Sequence, residues 1–271
     1  MSDCLISFGS NLGDSVAIFA EASELLKATS GIQSVVASQP IWTPAVGGPA
    51  DQPAYLNAAV RCTTSLQPEE LHQRLLRIES ILGRVRRQRW GSRTADLDLL
   101  LFDSRQIENR QLSVPHRRMA YRRFVLQPAV EIAGEMRHPV CNCTLEELLA
   151  CLDDRPNRIL IVDDAPPPPD WLDELQHWAL QEPFRIVSGV PSAGVDLGSD
   201  DWKVSWLKRS QFDLEAREVK LLILKERPED SCKQVDFRGP RLVLPVFDPN
   251  EMRIELAAAI QAMRPIASSS E

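Results

Sequence analysis

Apolar positions in the first hundred residues switch between two periods. Cys4–Phe8 is a short apolar run closed by the turn residues Gly9-Ser-Asn-Leu-Gly-Asp14, which predicts a buried strand. From there to about Lys27 the apolar residues recur at helical spacing. Gln33–Trp42 and Tyr55–Ser65 read as strands around a Pro- and Gly-rich loop at Thr43–Pro53. A second helix opens at Gln67-Pro-Glu-Glu, where Pro68 suits a first turn, and Leu71, Leu75, Ile78 and Leu82 carry its apolar stripe. Asp96–Phe102 is the next strand.

This order, β-α-β-β-α-β, predicts an α+β domain of the ferredoxin-like type. Its antiparallel sheet would carry helices on one face and leave the other for ligands. Residues 111–160 look like an appendage, with a loop at Val114-Pro-His116 and helices near Phe124–Ile132 and Thr144–Leu152. Four consecutive prolines in Asp163–Asp170 form a stiff spacer that neither a helix nor a central strand would hold. Beyond it a helix at Trp171–Leu180, short apolar segments at Arg185–Val190, Val204–Leu207, Leu221–Leu224 and Leu242–Phe247, and a closing helix at about Asn250–Met263 predict a small C-terminal α/β domain. The expected division is therefore 1–162, a linker at 163–170, and 171–271 with no assigned role. A chain ending near Asp163 is expected to stay active.

Composition narrows the class. No apolar run approaches the ~20 residues of a membrane helix, and the N-terminus lacks a charged segment followed by a long apolar one, so a cytoplasmic protein with no membrane partner is expected. The six cysteines include no C-x2-C pair and read as reduced thiols, not as a zinc site. The net charge of −7 lies wholly in residues 161–271, with 13 basic and 20 acidic groups. Residues 1–160 balance 18 against 18, and 17 of their 18 basic residues are Arg, the side chain suited to forked phosphate contacts.

The chemistry concentrates at Arg93-Thr-Ala-Asp-Leu-Asp98. Asp96 and Asp98 stand two apart on an apolar strand, so they share a face. Like charges there repel and lose water, which favours a hard cation such as Mg2+ between them. Upstream, Gly83–Arg93 holds five arginines and no acid. Carboxylates for a metal beside an arginine-rich loop suggest phosphate chemistry.

Taken in order, Ser7-Phe-Gly-Ser-Asn-Leu-Gly13, Asp51–Val60, Ile78-Glu79 with Gly83-Arg84, Arg89–Asp98, Val114-Pro-His116 and Arg123–Pro128 resemble the 6-hydroxymethyl-7,8-dihydropterin pyrophosphokinases over about residues 4–155. The resemblance implies transfer of pyrophosphate from the co-substrate ATP to the hydroxymethyl group of 6-hydroxymethyl-7,8-dihydropterin, with release of AMP, in folate biosynthesis. It implies two Mg2+ ions on Asp96 and Asp98, with Arg84 and Arg93 completing the catalytic set. Glu79, Arg84, Trp90, Arg93, Ser113, His116 and Arg122 would bind ATP, with Arg86 and Arg89 as helpers. Tyr55 and Phe124 would stack on the pterin, Thr43 and Asn57 would meet its edge, and Pro44 and Val46 would line its pocket. A functional link to dihydropteroate synthase and dihydroneopterin aldolase follows from the same resemblance. Three positions depart from the family pattern: Leu76 for a polar residue, Gln111 for a basic one and Arg117 for an aromatic one. Arg117 is expected to restore the charge missing at Gln111.

Three other readings fit parts of this pattern. The enzyme could act on another flat heterocyclic alcohol. The sheet and basic loop could bind nucleic acid, whereas the main reading expects none. The first domain could also have decayed into a scaffold for the second.

Overall fold

The computed structural model describes residues 1–49, 51–84, 91–163, 173, 186–188, 202–207, 219–225, 237–244 and 249–266. The Asp164–Asp170 spacer, all but one residue of the expected helix at Trp171–Leu180, Cys232, and the loop residues Arg86, Arg89 and Trp90 lie outside the described residues.

Strands β1 (Ser2–Ser10), β2 (Ile32–Ala37), β3 (Ile41–Thr43), β4 (Tyr55–Thr64) and β5 (Asp96–Phe102) form an antiparallel sheet in the order β2-β4-β1-β5, with β3 also on β4. The expected strand Gln33–Trp42 is two strands. Ser38-Gln-Pro40 separates them, and Pro40 has no N–H to donate to a ladder. Helices α1 (Ser15–Ala28) and α2 (Pro68–Ile81) connect the strands. Asp14 caps α1 by accepting from the Ala17 N–H at 3.1 Å. At the start of α2, Glu70 reaches back to the Gln67 N–H at 2.8 Å.

Alternation along the strands sorts their side chains. Cys4, Ile6 and Phe8 of β1, with Ala58, Val60 and Cys62 of β4, pack against Ala22 and Leu26 of α1 and Leu71, Leu75 and Ile78 of α2. The opposite face divides into two halves. Leu5, Ala59 and Leu101 are covered by α3 (Arg123–Ala133), whereas Ser7, Gly9, Asn57, Asp96 and Asp98 line a cavity. The face expected to be free for ligands is thus free only at one end.

A bulge makes this division. Leu5 pairs with Leu101 and Ile6 with Leu99, so Leu100 has no partner in β1. Its carbonyl accepts the N–H of His116 at 3.0 Å. Hairpins β6 (Ile107–Glu108) with β7 (Ser113–Val114), and β8 (Arg137–His138) with β9 (Cys143–Thr144), flank α3. Helix α4 (Leu145–Asp154) starts from a capping box: Thr144 Oγ1 accepts from the Glu147 N–H at 3.1 Å, and Glu147 from the Thr144 N–H at 2.8 Å.

The second sheet takes in a strand that precedes the prolines. Strand β10 (Arg158–Val162) pairs in parallel with β12 (Trp202–Leu207) and β13 (Leu221–Lys225). Strands β11 (Ile186–Ser188) and β14 (Arg241–Leu244) complete the order β11-β12-β10-β13-β14. Its central strand therefore precedes the prolines, and a cut at 163 would take the sheet from its own middle. Arg158-Ile-Leu-Ile-Val162 is a continuous apolar run, as expected for a strand buried on both faces. Helix α5 (Pro249–Met263) closes the described chain. One core joins the halves: Leu126, Ala129, Leu145 and Leu148 pack with Ile159, Ile161, Leu221 and Ile223, and with Leu256, Ala259, Ile260 and Met263 of α5. The five described cysteines are free, four of them buried.

Candidate functional site

A cavity of about 290 Å3 opens over the uncovered end of the first sheet. Its floor is Ser7 and Gly9 of β1, Asn57 of β4, and Asp96 and Asp98 of β5. The two acids pair across the strands with Gly9 and Ser7, so small residues stand opposite both carboxylates and leave room above them.

Helix α2 ends in a way that places the first guanidinium. Gly83 has φ +79°, a conformation that strains other residues, and the chain reverses there. The N–H of Arg84 returns to the Glu79 carbonyl at 3.0 Å and that of Gly83 to Ser80 at 3.2 Å. Arg84 then lies between Glu79, to which it hydrogen-bonds, and Asp96 at 2.5 Å. Glu79 is buried and also accepts the N–H of Leu97 at 2.8 Å, tying α2 to β5. Arg93 pairs with the other oxygen of Asp96 and lies 5.8 Å over the Tyr55 ring.

Electrostatics at the floor follow from this crowding. Burial raises the Asp96 pKa, Asp98 adds to the rise, and Arg93 and Arg84 oppose it. A carboxylate that needs two guanidinia to remain charged beside a second carboxylate is suited to a hard cation. Both acids supply oxygen donors on one face, and phosphate oxygens and water would fill the remaining positions. Among the described residues no group of three or more His, Cys, Asp or Glu forms a metal cluster. The donor set fits an ion shared with a phosphorylated substrate.

The far wall is cationic. His116 Nε2 lies 4.0 Å from Asp98, and its Nδ1 accepts the Arg118 N–H at 3.2 Å, so the ring proton sits on Nε2. Burial, with Arg122 and Arg118 beside it, pushes the His116 pKa down to about 3, so the ring is neutral at pH 7. Burial also draws the Arg122 pKa below its ordinary value, and the guanidinium lies 5.6 Å over the Phe124 ring. Tyr121 lines the same wall, and burial pushes its hydroxyl up to about 12.

Tyr55 and Phe124 both line the cavity, with Thr43, Pro44 and Val46 at its edge. Asn57 Nδ2 donates to Thr43 Oγ1 at 2.9 Å and to the Tyr55 carbonyl at 3.3 Å, which leaves its Oδ1 for another partner.

Two loops meet through side chains that the motif reading did not single out. Asn11 Oδ1 accepts the Arg93 N–H at 2.9 Å, and its Nδ2 donates to the Pro53 carbonyl and Ser92 Oγ at 3.2 Å each. Gln52 accepts from Ser92 Oγ at 3.3 Å and donates to the Gly47 carbonyl at 3.1 Å. The signal was present for Asn11, inside Ser7–Gly13, and for Gln52, inside Asp51–Val60; nothing in the local sequence marks Arg118 or Tyr121.

Of the expected site residues, Thr43, Pro44, Val46, Tyr55, Asn57, Arg84, Arg93, Asp96, Asp98, His116, Arg122 and Phe124 line this one cavity. Glu79 stands behind Arg84. Ser113 is not on the wall; its hydroxyl bonds Glu108 at 2.9 Å. Arg117 pairs with the same Glu108 at 2.5 Å and is also off the wall.

Carboxylates on one strand, guanidinia beside them and two aromatic rings in the same cavity suit a transferase site for a nucleotide and a flat ring compound. The chain belongs to the family 7,8-dihydro-6-hydroxymethylpterin-pyrophosphokinase (HPPK), which matches residues 5–134. A 2-amino-4-hydroxy-6-hydroxymethyldihydropteridine pyrophosphokinase from Methylorubrum extorquens is 42% identical over 153 residues, covering 56% of this chain and 95% of that one. Proteins of the same name from Bacillus subtilis (45% identical; 48% of this chain, 78% of that one) and Haemophilus influenzae (40%; 51% and 86%) are also similar.

Proposed function

We propose that this chain transfers pyrophosphate from ATP to the hydroxymethyl group of 6-hydroxymethyl-7,8-dihydropterin and releases AMP. The carrying observation is that both carboxylates, Arg84, Arg93, His116, Arg122 and the Tyr55–Phe124 pair line one cavity. Asp96 and Asp98 would hold two Mg2+ ions, which when bound neutralise the triphosphate and orient its β-phosphorus for in-line attack. Arg84 and Arg93 spread further positive charge over the phosphates, and His116 offers its Nε2–H as a donor there. Arg122 gains from a phosphate the opposite charge that its burial requires.

Tyr55 and Phe124 take the two faces of the pterin, an arrangement adding about 0.5–1.5 kcal/mol beyond area burial. Asn57, held by Thr43, presents its free carbonyl oxygen to the ring edge, where an unmet donor would be costly. The Asn11 and Gln52 contacts draw the two loops together at the mouth and limit water.

The strand order β2-β4-β1-β5, with α1 and α2 on one face, supports reading the first unit as ferredoxin-like. The place of β10 in the second sheet supports a division before that strand, not after it. A nucleic-acid platform would need the whole free face, half of which α3 covers. A functional link to dihydropteroate synthase and dihydroneopterin aldolase completes the reading; a similar protein from Pisum sativum, 38% identical over 132 residues, is named folate synthesis bifunctional protein.

The test mixes chain, ATP, Mg2+ and hydroxymethyldihydropterin and follows nucleotide products. AMP is expected in step with pterin consumed; ADP, or no turnover by folded protein, overturns the proposal.

A further inference from the structure

The C-terminal segment meets this site along one ridge. Residues three apart on a helix lie one above the next. On α5, Glu255, Ala258 and Gln261 follow that spacing, beside the stripe Leu256, Ala259, Ile260 and Met263 that anchors the helix in the shared core. Of the three, Ala258 lines the cavity, while Glu255 and Gln261 meet Arg118 and Gly47, which neighbour its wall in sequence. Glu255 is buried and takes Arg118 through two hydrogen bonds, Nε to Oε2 at 3.0 Å and Nη2 to Oε1. Ala258 is part of the cavity wall. Gln261 Oε1 accepts the Gly47 N–H at 3.3 Å, inside the loop that carries Thr43, Pro44 and Val46.

These contacts differ from ordinary packing between domains. Glu255 supplies a negative charge to a wall where Arg118, Arg122 and His116 crowd together. The small side chain of Ala258 lets the helix approach without filling the cavity. Gly47 has φ +68° and no side chain of its own to hold the loop, so Gln261 fixes the backbone there.

We infer that the C-terminal segment is a working part of the pyrophosphokinase site: α5 supplies a wall of the cavity and, through Gln261, positions the loop that closes over the pterin. The inference rests on the proposed activity. It also replaces the expectation that a chain ending near Asp163 stays active, since that cut removes all three ridge residues and bares the shared core.

The test uses the full chain and steady-state kinetics, with equilibrium binding of 6-hydroxymethylpterin followed by its fluorescence. One neutral hydrogen bond of about 0.5–1.5 kcal/mol corresponds to roughly two- to twelvefold. Gln261→Ala should raise KM for the pterin, and weaken pterin binding, by that factor, with KM for ATP unchanged. Gln261→Glu, which keeps an acceptor for the Gly47 N–H, should restore most of the loss. Ala258→Leu preserves helix propensity but fills the wall, and should weaken pterin binding at least as much. A folded Gln261→Ala chain that binds and turns over the pterin as the parent does overturns the inference alone. A parent that neither binds the pterin nor makes AMP overturns the proposed activity, and this inference with it.

Discussion

Glu79 offers a sharp test of how the floor is built. Its carboxylate is 3% exposed and accepts from the Leu97 N–H at 2.8 Å and from the guanidinium of Arg84. Glu79→Ala leaves a buried backbone N–H without its acceptor, at about 1–3 kcal/mol. It also strips Arg84 of one of two carboxylates. Losing the sole partner of a buried charge costs about 3–5 kcal/mol, but Arg84 keeps Asp96 at 2.5 Å, so a total of about 2–4 kcal/mol is expected. Glu79→Gln keeps an acceptor for Leu97 and loses only the charge, which lowers the expected loss to about 1 kcal/mol. With a urea slope near 2 kcal/mol/M, the midpoints should fall by about 1–2 M and 0.5 M. Far-UV circular dichroism in urea reads both. An alanine variant as stable as the parent, or a glutamine variant as damaged as the alanine one, would refute the bridging role of this carboxylate.

Other expectations follow from the same contacts. Asp96→Ala and Asp98→Ala should each cut AMP production below about one hundredth while circular dichroism stays unchanged; retained turnover in both would remove the metal assignment. Chelation by EDTA should stop turnover, and added Mg2+ should restore it. Buried His138, whose Nδ1 accepts the N–H groups of Val140 at 3.3 Å and Cys141 at 3.1 Å, has its pKa pushed down to about 3, first by burial and then by Arg241. The unfolded chain binds that proton below about pH 6.5 and the folded chain does not, so this contribution is whole above pH 6.5 and falls as pH drops toward 3. Between pH 6.5 and 5 the parent should lose about 1.5 kcal/mol more than His138→Asn in urea titrations; parallel losses would refute it.

Much of the site was legible because its chemistry is local in sequence. Asp96 and Asp98 share a face by strand alternation alone, and the Gly83–Arg93 arginines lie immediately before them. What escaped depends on contacts between distant segments. The break at Ser38-Gln-Pro40 was hidden inside an apolar run, although Pro40 marked it. Arg158–Val162 was absorbed into an appendage because the prolines at 166–169 drew the boundary to themselves, whereas parallel pairing with residues 202–207 and 221–225 leaves no local trace. Phe124 was legible as a candidate site residue and lines the cavity, but the cover that α3 gives to Leu5 and Ala59 was not. The part of α5 was hidden as well, because Ala258 and Gln261 are unremarkable helix residues until the chain folds back over 200 positions to Gly47.

The unpaired Leu100 carries a consequence for anyone who would tidy this protein. Deleting it would let β1 and β5 zip into an unbroken ladder, since the residues on either side already oppose neighbours in β1. Asp96 and Asp98 would keep their orientation, because opposed residues always share a side of a sheet. What would vanish is the spare carbonyl that hooks the segment bearing His116. A more regular molecule would result, with its imidazole adrift: here the irregularity is the fastening.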